Sequence, residues 1–402
     1  MRRTTRTAAI AIATLLAATA CAGGGGTSGG PADNQAGGPT TLVWWHNGTQ
    51  GELRDYFQGA ADRFMAAHPD VTIQIEPTQN EELQTRIRVA LQSNDPPDVF
   101  QQWGGGDAAT QVESGKLADI TDATSEIVGQ IGASAEGWQV DGRQYGLPYS
   151  VGVVGFWYRT DLFAQAGITA PPTTMDELYA VINQLRAAGI TPIALGGRDE
   201  WPDAFYWGYM ATRMCSQETL QAVTTDLELS DPCFVRAGEG VQQLLAANPF
   251  QEGFLATPAQ SDATSAAALI ANGQAAMELQ GHWEAGEVQN LTADGQPLGD
   301  KLGWFPFPEV PGGQGEPGAT LGGGDGFSCA FDAPPACAEF LNFLLSPEEQ
   351  IAFGATNAGL PVNPEAARSI TDPTVQGVLE ARGARLDPDR DLLIPRERQD
   401  TE

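Results

Sequence analysis

The stretch that decides the fold runs from residue 41 to residue 102. It holds three strand-like segments, TLVWWH (41–46), VTIQI (71–75) and DVF (98–100). Between the first two, Leu53, Phe57, Ala60 and Phe64 recur at spacings of four, three and four, which draws one apolar stripe down a helix. Pro69 ends that helix, because proline lacks an N–H and fixes φ. Val71, Ile73 and Ile75 then alternate with polar residues, so one face of a second strand is buried. Leu83, Ile87 and Leu91 form the next helical stripe, closed by Pro96-Pro97 before Val99 and Phe100 begin a third strand. The order β-α-β-α-β predicts an α/β fold with a parallel sheet and crossover helices.

Working outward, Gly152 to Tyr158 is a β-branched and aromatic run that reads as a strand. Thr174 and Glu177 form a capping box ahead of the apolar positions Leu178, Val181, Ile182 and Leu185. Thr191 to Leu195 resumes as a strand, and residues 200–255 read as mostly helical. Ala263 to Ala271 is a helix closed by Gly273, and Ala275 to Leu279 a short buried strand. Residues 306–324, rich in Gly and Pro, read as a surface loop. Ser346-Pro347-Glu348-Glu349 is a second helix start with a hydroxyl cap and proline in the first turn. A single hydrophobic core stops growing near about 250–300 residues, so a chain of 402 residues is expected to form two lobes.

The amino terminus carries an address. Arg2, Arg3 and Arg6 precede an apolar run from Ala8 to Ala20, too short for a membrane span of about 20 residues. Residues 1–20 therefore read as a signal peptide for general secretion. Cys21, preceded by Ala18, Thr19 and Ala20 and followed by glycines, resembles the lipidation site of a bacterial lipoprotein, with Ala18 where a bulkier residue is usual. An ordinary signal peptide is the alternative. Residues 22–40 are Gly, Ser, Thr, Pro, Ala, Asn and Gln with one acid, Asp33, and 21–40 is expected to be a flexible tether. The lipid reading puts the protein on the extracellular face of the cell membrane, anchored through a palmitate-type chain at Cys21.

The net charge is −30 over the whole chain. Without the three arginines of residues 1–20, 18 cationic side chains face 51 acidic ones, a net charge of −33. This acidity excludes nucleic acid, whose binding rests on cationic contacts to phosphate, and adhesion to an anionic lipid surface. Of the five cysteines, Cys21 taken by lipid leaves Cys215, Cys233, Cys329 and Cys337, which outside the cell are expected to be oxidised. Three pairings are possible, with neighbours in sequence favoured, Cys215 to Cys233 and Cys329 to Cys337. No CxxC spacing or adjacent histidine points to zinc.

Ligands of open α/β sheets bind beyond the carboxyl ends of the strands, and here those loops are loaded with aromatics and amides. The first carries Trp45, His46 and Asn47, the second Gln79 and Asn80, the third Gln102, Trp103 and Asp107. Later loops add Tyr149, then Trp201, Asp203 and Trp207, then His282, Trp283 and Glu284, and finally Asp325. Trp44 and Trp45 point to opposite faces of their strand, and Trp45, nearer the loop, is the one expected to reach the cleft. Flat rings beside carboxylates and amides suit a sugar, whose C–H face stacks while its hydroxyls take hydrogen bonds. No GxSxG elbow, HExxH pair or phosphate loop occurs. The carboxylates Asp107, Asp203, Glu284 and Asp325 leave a glycoside hydrolase open as a rival.

The run Gly146-Leu147-Pro148-Tyr149, then Gly155 to Phe163, Ala166-Gly167-Ile168 and Pro171 to Leu178, resembles extracellular sugar-binding proteins of ABC importers, the group that includes maltose-binding protein. So do Pro192 to Gly197 with Trp201-Pro202, Asn272 to Met277 with Gly281-His282-Trp283, and Gly323 to Phe327 through Ser346 to Gln350. The likeness covers nearly all of residues 41–365, and low lysine content fits an actinobacterial lipoprotein. It implies a two-lobed type II periplasmic-binding-protein fold with discontinuous lobes joined by hinge strands. Lobe 1 would take residues 41–151 plus 322–361, and lobe 2 residues 152–321 plus 362–402. It implies a non-enzymatic monomer, without cofactor or metal, that hands a small oligosaccharide to ABC permease subunits. Its ligand residues would fall around Trp45 to Asn47, Gln102, Trp103, Tyr149, Trp201, Trp283 and Asp325. A xylo-oligosaccharide is the first choice of sugar, with malto-, cello- and chito-oligosaccharides open. An exported glycoside hydrolase, or a binder of a peptide or metal, is the alternative.

Overall fold

The computed structural model describes residues 39–226, 229–316 and 318–381. The signal segment 1–20, Cys21, the tether up to residue 38 and residues 382–402 lie outside the described residues.

β1 (Thr40–His46), α1 (Gly51–Ala67), β2 (Val71–Pro77), α2 (Asn80–Ser93) and β3 (Val99–Gln102) follow the order read from the sequence, and β1 pairs in parallel with both β2 and β3. α3 (Gly105–Glu113), α4 (Thr121–Ile131) and a small ribbon of β4 (Gln139–Val140) and β5 (Arg143–Gln144) lead to β6 (Gly146–Val153). After β6 the chain leaves this sheet. β7 (Gly155–Arg159), α5 (Thr160–Gln165), α6 (Met175–Ala187), β8 (Thr191–Ala194), α7 (Trp201–Met214), α8 (Gln217–Asp226) and α9 (Pro232–Ala246) come next. α10 (Ala266–Ala271), β9 (Ala275–Gln280), α11 (Glu284–Leu291) and β10 (Leu302–Phe305) complete a second sheet with the order β10-β7-β9-β8. The chain then returns through β11 (Gly322–Cys329), α12 (Ala336–Leu344), α13 (Pro347–Gly354), β12 (Leu360–Pro361), α14 (Pro364–Arg368) and α15 (Pro373–Ala381). The first sheet has the order β12-β6-β11-β3-β1-β2.

Each sheet carries its own core. Leu42, Trp44, Phe57, Phe64, Phe327, Phe340 and Phe353 pack around the first. Phe156, Leu178, Ile182, Ile193, Tyr209, Met277 and Phe307 pack around the second. Trp44 is fully buried, edge-on to Phe57, Phe327 and Phe340 at 5.1, 5.2 and 4.9 Å between centroids. The capping box at Thr174 and Glu177 forms, and Ser346 caps α13 from its side chain. Val362, Ile370, Val378 and Leu379 join a cluster that also takes in Trp157, Leu302 and Trp304 of the second sheet, and Thr374 Oγ1 of α15 donates to the Leu302 carbonyl of β10 at 3.3 Å.

One expectation is corrected here. Gly322 to Gly324 do not belong to a surface loop but begin β11, antiparallel to β6. A Cβ on Gly324 would sit 2.3 Å from the Ser150 carbonyl oxygen, and one on Gly152 would sit 2.6 Å from that of Gly323. The glycines are there because the two strands approach too closely for side chains. The chain passes between the sheets at Val154 and Leu321, which touch: the Val154 N–H donates to the Leu321 carbonyl at 3.0 Å.

Both neighbour disulfides are present, Cys215 to Cys233 and Cys329 to Cys337. No helix among the described residues is long and apolar enough to cross a membrane.

Candidate functional site

A cavity of about 290 Å³ lies between the two sheets. The amino ends of four helices border it. Gln50, Glu52 and Leu53 come from α1 and its approach, Gln79, Asn80 and Gln84 from α2, Trp201 and Phe205 from α7, and Gly286, Glu287 and Asn290 from α11. The β6 and β11 crossing supplies Tyr149, Gly152, Val154 and Asp325. The carboxyl ends of strands deliver these helix starts, so the convergence expected from the β-α order is the one that forms.

Three tryptophans give the cavity its flat walls. Trp201 and Trp283 meet edge to face at 6.0 Å and 62°, with Phe205 against Trp201 at 5.6 Å, and Trp103 comes from the opposite sheet. The Trp201 indole N–H donates across the cleft to Glu81 Oε1 at 3.2 Å. Glu81 Oε1 also accepts from Asn80 Nδ2 at 3.1 Å, and Asn80 Oδ1 accepts from Asn47 Nδ2 at 3.3 Å. This chain of side chains runs from the end of β1 to the start of α7 and ties the two sheets together. Gly51 closes the same rim: at φ +59 it lies against Asn290 of α11, whose Oδ1 would stand 2.2 Å from an added Cβ. Deeper, Ser150 Oγ and His282 Nε2 lie 2.7 Å apart, joining β6 to the turn after β9.

Asp325 faces the cavity from β11 and accepts from Gln101 Nε2 at 3.2 Å. Burial pushes its carboxyl up to about 6, against hydrogen bonds from Gln101 and Trp103 that favour the charged form. Burial also raises Glu287, against a hydrogen bond from Ser261, and the nearby Glu81 charge adds to the rise. Tyr149 is 4 % exposed, stacks on Phe327 at 4.9 Å, and is pushed well above the usual phenol range by burial and then by Asp325.

Seven of the twelve sequence candidates line the cavity: Asn47, Asn80, Trp103, Tyr149, Trp201, Trp283 and Asp325. Five do not. Trp45 points to the far face of β1, where the Arg86 guanidinium of α2 lies 3.5 Å over its ring. Alternation along β1 turns Trp44 into the core and Trp45 to the opposite face, and Asn47 and Gly48, beyond the strand, reach the cavity instead. His46 is 1 % exposed, tilted against Phe57, with Nδ1 accepting from the Gly48 N–H at 3.1 Å; burial lowers it to about 3. Gln102 is fully buried and its Oε1 accepts from the Gly104 N–H, which shapes the turn into α3. Asp203 lies in the first turn of α7, behind the wall, raised by burial and then by Glu200. Glu284 is fully buried beside Glu278; burial raises both, and the Glu278 carboxylate raises Glu284 further.

Sequence reasoning missed Glu81, Glu287, Asn290 and Gln260. Glu287 and Asn290 stand four and seven residues after Trp283, the helical face that Trp283 opens, so the 3.6-residue period carried their signal. Glu81 and Gln260 had none, because only the approach of the two sheets brings them to the cavity. Among the described residues no group of three or more His, Cys, Asp or Glu is arranged to hold a metal ion.

A family model described as bacterial extracellular solute-binding protein matches residues 50–351. The diacetylchitobiose binding protein DasA of Streptomyces coelicolor is 28% identical over 300 residues, 71% of this chain and 65% of that one. An uncharacterized ABC transporter extracellular-binding protein of Pyrococcus horikoshii is 26% identical over 252 residues, 60% of this chain and 55% of the other. The chain thus spans between about half and two thirds of these relatives' length. Among solved structures, a chitin oligosaccharide binding protein superposes with a TM-score of 0.74 at 24% identity, covering 85% of this chain and 86% of that one. A protein described in terms of xylan utilization by Caldanaerobius polysaccharolyticus gives 0.73 at 26% identity, covering 85% and 87%. These likenesses show a two-lobed α/β fold shared with sugar-binding proteins.

Proposed function

The chain belongs to the bacterial extracellular solute-binding protein family, and on that premise we propose that it binds a small oligosaccharide in the cavity between its two sheets and delivers it to an ABC importer. The single observation that carries this reading is the cavity wall: Trp103, Trp201 and Trp283 with side-chain amides from both sheets. Rings supply the stacking face and amides the hydroxyl partners that a pyranose needs. The volume, at the lower end of about 300–1,000 Å³ for ligand sites, suits a di- or trisaccharide closed over by the lobes. A xylo-oligosaccharide is our first choice, and the relatives named for chitin-derived sugars favour chito-oligosaccharides as the second.

We place the lobe boundaries near Val153/Val154 and Leu321/Gly322, where the chain passes from one sheet to the other. We assign the C-terminal residues from 362 to the second lobe, in line with the Thr374 Oγ1 hydrogen bond from α15 to the Leu302 carbonyl of β10 at 3.3 Å. Ligand touching both lobes stabilises the closed arrangement by its differential affinity for it, and a permease reads that closure. The protein works as a monomer on the outer face of the membrane, held by a lipid at Cys21. We read it as a binder because the family it belongs to is one of solute-binding proteins. Of the four carboxylates considered for catalysis only Asp325 faces the cavity, with Glu52 and Glu287 as further acids in its lining, while Asp107 is exposed outside it. Isothermal titration against xylo-, chito-, cello- and malto-oligosaccharides tests this. One-to-one binding with the sugar recovered intact supports it, and reducing ends appearing on prolonged incubation refute it in favour of the hydrolase.

A further inference from the structure

The charges around the cavity have one sign. Glu52, Glu287 and Asp325 line it, and Glu81 stands at its rim; among the described residues no lysine or arginine lines it. Acids act on acids here: Glu81 acts on Glu287, and Glu287 acts in turn on Glu278 and Glu284 beneath the wall. The arginines nearest in sequence to the site are committed elsewhere. Arg54, next to Leu53, pairs with Asp55, Arg86 pairs with Glu76 over Trp45, Arg198 pairs with Asp199, and Arg213 donates to the Ala319 and Phe307 carbonyls. In an enclosed cavity a charge is poorly screened and its sign governs which ligands enter.

We propose that the cavity selects its oligosaccharide by charge, admitting neutral sugars and 2-amino sugars with a free ammonium while rejecting sugars that carry a carboxylate. The proposal rests on the sugar-binding reading and adds to it a substrate class. A uronate would bring a further anion beside Glu287 and Asp325 with no cation to pair it, which is rejection by an unpaired buried charge. An ammonium on the ring would instead supply the counter-charge that Glu81 and Glu287 lack. Burial raises both Glu287 and Asp325, whose hydrogen-bond partners, Ser261 for the one and Gln101 and Trp103 for the other, are neutral.

The test uses the full mature chain, followed by tryptophan fluorescence and titration calorimetry at pH 7. One panel holds neutral β-1,4-linked gluco-, xylo- and N-acetylglucosamine di- and trisaccharides and maltose. It also holds the glucosamine trimer and the C6-oxidised cello-oligosaccharide. The uronate is expected to bind at least roughly tenfold more weakly than the best neutral sugar, and the glucosamine trimer as well as its neutral counterpart or better. Glu287→Gln is expected to narrow the gap between neutral and carboxylated sugar. A uronate that binds as tightly as the neutral sugar, or a panel in which only the uronate binds, overturns the charge selection and leaves sugar binding intact. A panel in which nothing binds overturns the sugar reading and this proposal with it.

Discussion

Replacing Asp325 with asparagine should stabilise the ligand-free protein at neutral pH. Asn keeps the size of the side chain and an oxygen for Gln101 Nε2, which now reaches Asp325 at 3.2 Å. It removes the charge. Asp325 titrates near 3.8 when unfolded and at about 6 when folded, with burial as the leading cause. Between those values the folded state binds more protons than the unfolded one, so stability falls as pH rises through the window and the loss persists above it. Two pH units correspond to roughly 3 kcal/mol, an upper bound because the carboxylate also faces the cavity. His46 acts in the opposite sense: lowered to about 3 by burial, it stays neutral in the fold while the unfolded chain takes up a proton below about 6.5. The difference between variant and parent cancels His46 and isolates Asp325. Urea unfolding at pH 4, 5, 6 and 7.5 is the assay. The variant's advantage should be near zero at pH 4 and grow to its full value by pH 7.5, together with weaker sugar binding, since strain at a site is exchanged for function. An advantage independent of pH, or a variant less stable at pH 7.5, refutes the reasoning.

Trp201→Ala and Trp283→Ala should each weaken sugar binding by about tenfold or more with the fold retained, whereas Trp45→Ala should leave affinity near that of the parent; fluorescence titration of the three separates cavity walls from the far face of β1. Glu81→Ala and Trp201→Phe both break the cross-cleft hydrogen bond, so their effects on sugar dissociation rate should be markedly non-additive, and Glu81→Gln, which keeps an acceptor, should recover part of the loss. Simple additivity in stopped-flow measurements would show that the Glu81–Trp201 hydrogen bond does not hold the sheets together around the sugar. Removing the Cys215–Cys233 bridge by serine substitution should cost about 3 kcal/mol in urea unfolding and removing Cys329–Cys337 somewhat less, because the second closes a shorter loop.

The β-α-β-α-β start was legible because each element there obeys its own period: four, three, four for α1, two for β2. Helix caps at Thr174 and Ser346 were legible for the same local reason. The glycines at 322–324 misled because flexible loops and close-packed strands both demand glycine, and only the β6 partner tells them apart. Strand-end logic found Asn47, Asn80, Trp103, Trp201 and Trp283, since helix starts follow strands by construction. It failed at Trp45, which lies inside β1, where alternation sends its ring to the face covered by α2 and Arg86 rather than to the cavity. Glu284 and Asp203 sit beside true wall residues yet point behind the wall, an outcome of helix phase relative to a cavity whose position depends on both lobes. Glu81 was invisible because its partner is 120 residues away in sequence and in the other sheet.

The central claim, that a sugar is held between Trp103 of one sheet and Trp201 and Trp283 of the other, is tested most directly by calorimetric titration of the parent and of the Trp201→Ala, Trp283→Ala double variant with the best sugar of the panel. The account predicts one-to-one binding by the parent and loss of that binding in a folded double variant. Equal affinity in the two proteins would contradict it.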